Sequence, residues 1–249
     1  MLVETHLDRF VKEGLNPEIG LDAEALDRYE HSDFKGVADE LRAAGATITV
    51  HAPFMDLSPG SPDPRIRAVA DERFEQALAV IPLFQPVTMV CHAGFSERRY
   101  GHMRDLWLEH SLAFWARVCE RLSAAGAMLM IENVYEADPE DLQPLFESLD
   151  AGRVGFCLDT GHQSAFGHRA LEDWLNILEP YLGQVHLHDN QGARDDHLAV
   201  GSGGIDFDKL FNRLARMGRR PLITLEPHRE EDLAPSLAYL ERVWPWRGA

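Results

Sequence analysis

Apolar runs alternate with helix-like stretches from one end of the chain to the other. Eight short runs read as strands: residues 2–6, 18–21, 48–51, 87–92, 128–132, 154–159, 184–188 and 222–226. Several are continuously apolar, such as Val87-Thr-Met-Val-Cys91 ahead of His92. Strands covered by helices on both faces of a parallel sheet have this pattern. Helical periodicity fills the intervals at 33–44, 64–84, 104–125, 138–149, 171–182, 207–217 and 230–243, with a shorter stretch at 8–15. Gly45 and Gly126 stand where helices end, and Pro64 where one begins. Eight β-then-α units without a linker or low-complexity tract predict one closed α/β structure, a (β/α)8 TIM barrel, as a single domain over 1–249. A doubly wound sheet is the alternative. Gly201-Ser-Gly-Gly204 is no dinucleotide fingerprint and gives it no support.

Length agrees with a barrel: the chain has 249 residues, and such barrels commonly run to about 250. The composition is 45 % hydrophobic and 26 % charged, which excludes a disordered chain. No apolar run approaches the ~20 residues that span a bilayer. The start, Met1-Leu-Val-Glu-Thr-His6, lacks a signal pattern, and a cytoplasmic location is expected. Cys91, Cys119 and Cys157 are odd in number and widely spaced, so buried reduced thiols are expected rather than disulfides. The net charge of -17 repels phosphate backbones, and no nucleic-acid partner is expected.

The candidate chemistry lies at the strand ends. His51 ends the third predicted strand, His92 the fourth, Glu132 the fifth and Asp159 the sixth; His186 lies near the end of the seventh, and Glu226 ends the eighth. In a parallel barrel all strand C-termini open onto one mouth, so six successive strands would aim metal-ligand groups at one place. His162, Asp195 and His197 add donors from the following loops. Taken singly, a strand-end His or Glu is weak evidence. Glu132 and Glu226, however, follow Met-Leu-Met-Ile and Leu-Ile-Thr-Leu, where a carboxylate needs a counter-charge. Mixed nitrogen and oxygen donors without thiolate suit Zn²⁺ or Mn²⁺ better than Mg²⁺ or Ca²⁺. His188 is two residues from His186, on the same face of a strand, and is a candidate for substrate contact or a structural role. His6, His31, His102, His110, His168 and His228 read as ordinary, with His6, at a predicted strand end, the nearest to an exception.

The segments His51-Ala-Pro53, Cys91-His92-Ala-Gly94, Ile131-Glu132-Asn133, Leu158-Asp159-Thr-Gly-His162, Val185-His186-Leu-His-Asp189-Asn190, Asp195-Asp-His197-Leu-Ala-Val-Gly201-Ser-Gly203 and Leu225-Glu226-Pro227 carry a resemblance. In order and spacing the chain resembles the xylose isomerase-like barrels, which include sugar isomerases and epimerases and the endonuclease IV branch. The resemblance implies that Glu132, Asp159, His186 and Glu226 correspond to the four metal ligands of the isomerase and epimerase branch. It implies that His51, His92, His162, Asp195 and His197 correspond to the further ligands of the three-zinc endonuclease branch. One to three divalent ions are therefore expected.

The first functional expectation is a metal-dependent isomerase or epimerase of a sugar, keto-polyol or related hydroxy-ketone. It would abstract a proton to give a metal-stabilised enediolate. By resemblance, Glu132 and Glu226 are ligands and also the acid/base pair, and His162 orients a substrate oxygen. The alternatives are an endonuclease IV-like multi-zinc phosphodiesterase, a lyase or dehydratase on the same barrel, and a non-catalytic binding barrel. The expected partner is a small carbohydrate-like molecule; a membrane is not expected, and a homo-oligomer is compatible with this reading. Asp206 is expected to cap the helix after Gly204, which disfavours a substrate phosphate there.

Overall fold

The computed structural model describes residues 5–218 and 220–246. Along the chain these form α1 (Leu7–Glu13), β1 (Glu18–Gly20), α2 (Ala23–Arg28), α3 (His31–Ala43), β2 (Thr49–His51), α4 (Pro64–Phe84), β3 (Thr88–His92), α5 (Glu97–Tyr100), α6 (Arg104–Ala124) and β4 (Met128–Glu132). There follow α7 (Gln143–Ser148), β5 (Val154–Asp159), α8 (Thr160–Phe166), α9 (Leu171–Leu178), β6 (Leu182–Leu187), α10 (Phe207–Leu214), β7 (Leu222–Leu225) and α11 (Leu233–Val243). Seven of the eight expected strands are therefore present among the described residues. The remaining one, 2–6, lies partly outside them; Thr5 and His6 are helical and lead into α1, so His6 does not end a strand.

The chain divides into two compact units. The first comprises Met1–Phe95, Tyr100–Ile131 and Leu145–Gly155. In it β1, β2 and β3 pair in parallel and in sequence order, with Gly20 beside His51 and His51 beside Val90. The long α4 starts where Asp63 accepts a bond from the Arg65 N–H and Pro64 fills the first turn, where its missing N–H costs nothing. Phe74 of α4 is buried edge-on against Phe114 and Trp115 of α6, with ring centroids 4.9 and 5.5 Å away. Each such ring contributes about 1.5–3 kcal/mol by burial.

The second unit comprises Ser96–Arg99, Glu132–Pro144 and Phe156–Ala249. Here β5, β6 and β7 pair in parallel, and the register sets Asp159 beside His186 and His186 beside Thr224. Helix α10 buries Phe207, Leu210, Phe211 and Leu214, one face at helical spacing. Asp206 caps it by accepting from the Lys209 N–H at 2.9 Å, as expected.

Several helices are shorter than the apolar pattern suggested. Residues 138–149 form a short turn at Pro139–Asp141 and then α7, because Pro144 interrupts the run. Helix α9 ends at Leu178 ahead of Pro180, and α10 at Leu214. Cys91, Cys119 and Cys157 are buried and form no disulfide among the described residues; burial pushes Cys119 up to about 11. Among the described residues no helix is long and apolar enough to cross a membrane.

Candidate metal centre

In the second unit, four chain segments end in the same small volume. Glu132 closes β4, Asp159 closes β5, His186 is the last residue but one of β6, and Glu226 follows β7. Glu132, Asp159 and His186 are at most 1 % exposed, which would be costly for charges left without partners. His186 Nδ1 lies 2.8 Å from Glu226 Oε1 and 3.3 Å from Glu132 Oε1. On its other side, Nε2 is 3.1 Å from the Gln184 amide, which also reaches Thr224 Oγ1 at 3.2 Å. The amide thus fixes the ring from below.

Asp159 has a second task that the strand pattern did not show. It is the N-cap of α8 and accepts the His162 N–H at 2.6 Å, so His162 sits in the first turn of a helix rather than in a loop. Asn133 ties β4 to β5 with two bonds: its amide donates to the Asp159 carbonyl and its oxygen accepts the Asp159 N–H, both at 2.9 Å. The Asn133 carbonyl accepts from His162 Nδ1 at 3.1 Å, and Nδ1 stands 3.5 Å from Glu132 Oε1. Burial opposes a charge on His162, but the Asp159 charge and hydrogen bonds to Asp195 and Glu132 outweigh it and push the imidazole up to about 12.

The chain after β6 is organised by Asp189. This buried carboxylate accepts four backbone N–H bonds, from Asn190, Gly201, Gly203 and Ile205, at 2.8–3.1 Å. A side chain at 203 would come within 2.4 Å of Asp189 and of the Asn190 carbonyl, so glycine is needed there. The cradle shapes the loop carrying Asp195 and His197. His197 has a left-handed backbone, φ 47°, which costs of order 1–3 kcal/mol at a non-glycine residue and is common at functional sites. Its Nδ1 donates to the Glu226 carbonyl at 2.9 Å, and its Nε2 lies 3.1 Å from Asp195 Oδ2. Burial would raise the Asp195 carboxyl, yet hydrogen bonds from His162 and His197 hold it well below the usual range.

His188 lies just beyond β6, with Nε2 at 3.0 Å from both oxygens of Asp159. Its ring stacks on His197 at 3.7 Å, and His197 stacks on His228 at 3.6 Å, so His228 joins the site after all. Room for His188 comes from Gly161: a methyl there would stand 1.9 Å from His188 Cε1. Alanine normally favours a helix over glycine by about 1 kcal/mol. Gly161→Ala should instead destabilise the protein by about 1–3 kcal/mol through overpacking. Urea unfolding checks this; a variant more stable than the parent would show that the ring moves freely.

In the first unit, His51 and His92 close β2 and β3, and their rings meet edge-on at 5.0 Å. His51 Nδ1 donates to the Ala52 carbonyl at 2.9 Å. Seven of the nine expected ligand positions therefore belong to the second unit and two to the first.

Three overlapping groups in the second unit have ligand-type atoms within 4.8 Å of one another: His162, His188, Asp195 and His197; Glu132, Asp159 and His162; and Asp159, His188 and Glu226. The donor set fits a divalent cation. Buried carboxylates face imidazoles, and His188 Nδ1 and Asp195 Oδ1 are buried without a hydrogen-bond partner among the described residues. Several imidazoles also hold one nitrogen on a carbonyl or carboxylate, as metal-ligating histidines do. The roles of Gln184, Asp189 and His228 had no strand-end signal to announce them. Asn133 and Asp189 do stand inside the motifs quoted above.

The chain belongs to the xylose isomerase-like TIM barrel family, whose profile matches residues 16–243. A Thermus thermophilus protein solved after soaking with ZnCl2 is 28 % identical, with a TM-score of 0.79 over 96 % of this chain and 93 % of that one. A D-tagatose 3-epimerase-like protein shares the fold at 24 % identity and a TM-score of 0.79, over 98 % and 94 % of the two chains. A probable endonuclease 4 of Mycobacterium leprae is 26 % identical over 211 residues, 79 % of this chain and 80 % of its own.

Proposed function

Proceeding from membership of that family, we propose that the chain is a divalent-metal-dependent isomerase or epimerase of a sugar, keto-polyol or related hydroxy-ketone, working as one barrel domain over residues 1–249. The observation that carries this reading is two carboxylates at one nitrogen: Glu226 Oε1 and Glu132 Oε1 lie 2.8 and 3.3 Å from His186 Nδ1. Glu132, Asp159, His186 and Glu226 would hold a Zn²⁺ or Mn²⁺ ion. Such an ion supplies Lewis-acid stabilisation of the negative charge that develops on substrate oxygens.

The protein's own groups move the proton. One of Glu132 and Glu226 takes it from the carbon beside the carbonyl, and the C–H electron pair becomes the C–C double bond of an enediolate. The other glutamate returns a proton. Return to the opposite face of the same carbon epimerises; return to the neighbouring carbon isomerises. No electrons leave the substrate, so no redox partner is needed. His162, 3.5 Å from Glu132 Oε1, would orient a substrate oxygen. The likeness to a D-tagatose 3-epimerase-like protein supports sugar chemistry on this fold.

The test is turnover of a panel of hydroxy-ketones in D₂O. Deuterium is expected on carbon in a product of unchanged composition, because a carboxylic acid exchanges its proton before returning it. A product lighter by one water would identify a dehydratase instead. No change in skeleton or stereochemistry across the panel would overturn the reading.

One second reading has specific support. The endonuclease 4 relative, together with the nitrogen-rich group His162, His188, Asp195 and His197, favours metal-dependent phosphodiester hydrolysis. The net charge of -17 opposes a DNA substrate. Hydrolysis touches no C–H bond, so the same experiment separates the two.

A further inference from the structure

We infer that Tyr135, backed by Phe166, is a specificity-determining residue. The two rings form an aromatic wall for the C–H face of the carbons beyond the reacting pair, and so select a hexose-sized substrate over a triose. The inference rests on the proposed hydroxy-ketone reading and names the size class of its substrate.

The wall is built from two segments of the second unit. Strand β4 ends at Glu132, and the residues after it turn while remaining bonded. Asn133 is tied to the Asp159 backbone by two bonds of 2.9 Å. The Val134 N–H donates to Glu136 Oε2 at 2.7 Å, and both residues are buried. The Ala137 carbonyl accepts the His168 N–H at 2.7 Å, which joins this turn to the chain just past α8. Tyr135 stands between two buried neighbours and is nonetheless 65 % exposed. A fixed turn that holds the ring out forgoes the stabilisation its burial would bring.

A single exposed apolar side chain needs no explanation. This ring, however, continues the candidate site. Tyr135 meets Phe166, the last residue of α8, at 5.2 Å and 52°. Phe166 is half-buried and lies 5.9 Å from the His162 ring, at 26°. From His162 to Phe166 to Tyr135 the rings become steadily more exposed, so they lead from the buried carboxylates toward solvent. A substrate oxygen at His162 puts the reacting carbons at the inner end. The remaining carbons then lie along Phe166 and Tyr135. The C–H face of a sugar is apolar and its hydrogens are slightly positive, which suits the negative face of an aromatic ring. Its hydroxyls can stay in water. A three-carbon hydroxy-ketone is used up at the inner end and gains nothing from the wall.

The test compares substrate sizes. With metal supplied, kcat/KM is measured on the D-ketohexoses and on dihydroxyacetone for the parent, Tyr135→Ala and Tyr135→Phe. Tyr135→Ala is expected to lower the hexose-over-triose ratio by about three- to ten-fold, mainly through KM, with a thermal midpoint close to the parent's. Tyr135→Phe keeps the ring and should keep the ratio. An unchanged ratio in Tyr135→Ala overturns the wall, whether both substrates are spared or both lose equally. A ratio lost as fully in Tyr135→Phe overturns it too, because the hydroxyl rather than the ring face is then responsible. A parent that turns over nothing in the panel counts against the isomerase reading instead. The wall is then judged by saturation-transfer NMR of the same sugars. Ketohexose binding that weakens in Tyr135→Ala upholds it, and a parent that binds no ketohexose overturns it.

Discussion

Replacing either Glu132 or Glu226 by glutamine is expected to lower turnover by about 10²–10⁴-fold, the range that a positioned acid or base contributes. Glutamine keeps the shape and removes both the negative charge and the proton affinity. The two glutamates approach the same His186 nitrogen, at 3.3 and 2.8 Å, so each loss should also weaken cation binding. The fold should survive. Glu132 is 1 % exposed and grouped with Asp159 and His162, and a neutral amide relieves its repulsion with Asp159 in the metal-free protein. Steady-state kinetics with saturating metal, alongside a thermal midpoint, separate the effects. Near-normal turnover in either variant would show that proton transfer has been assigned to the wrong groups.

Stripping the cation is expected to abolish turnover and to lower the thermal midpoint. Restoring Zn²⁺ or Mn²⁺ at a hundred times its dissociation constant should return about 2.7 kcal/mol of stability. The effect carries a pH signature. In the metal-free protein His162 is raised from 6.5 to about 12, against burial, by Asp159 and by hydrogen bonds to Asp195 and Glu132. A group raised on folding contributes stability that is complete below 6.5 and lost as pH rises toward 12. The stripped protein should therefore lose this contribution progressively above neutrality. A cation must displace the same proton, so its affinity should increase with pH and its uptake should release protons to the buffer. Calorimetry in buffers of different ionisation enthalpy reads that release. Uptake that is independent of pH between 6 and 8 would remove His162 from the coupled group.

The proposed ligands were visible in the chain because a strand end has a plain signature. Glu132 follows Met-Leu-Met-Ile and Glu226 follows the mostly apolar Leu-Ile-Thr-Leu, and a carboxylate in such a place is out of keeping unless something there needs it. Asp159 and His186 followed from the same rule, and the observed register sets them side by side. His188 was half visible. Period two put it on the face of His186, but β6 stops at Leu187, and its direction is set by Asp159 and by the space at Gly161.

Other features had no signal of that kind. Helix α8 has seven residues, a glycine inside it and no apolar repeat, so Asp159-Thr-Gly-His162 read as a loop. The Asp189 cradle gathers N–H groups from as far as Ile205, a closure that sequence spacing does not encode. The His188–His197–His228 stack depends on the left-handed backbone at His197. The expected first strand failed at Thr5 and His6, where the residues join the helical turn that leads into α1.

The metal centre is tested most directly by elemental analysis of the protein purified without chelator. At least one transition-metal ion per chain is expected, and the content should fall in Glu132→Gln prepared in the same way. A parent chain that carries no such ion, takes up neither Zn²⁺ nor Mn²⁺ when these are added, and shows no change in thermal midpoint would contradict the account.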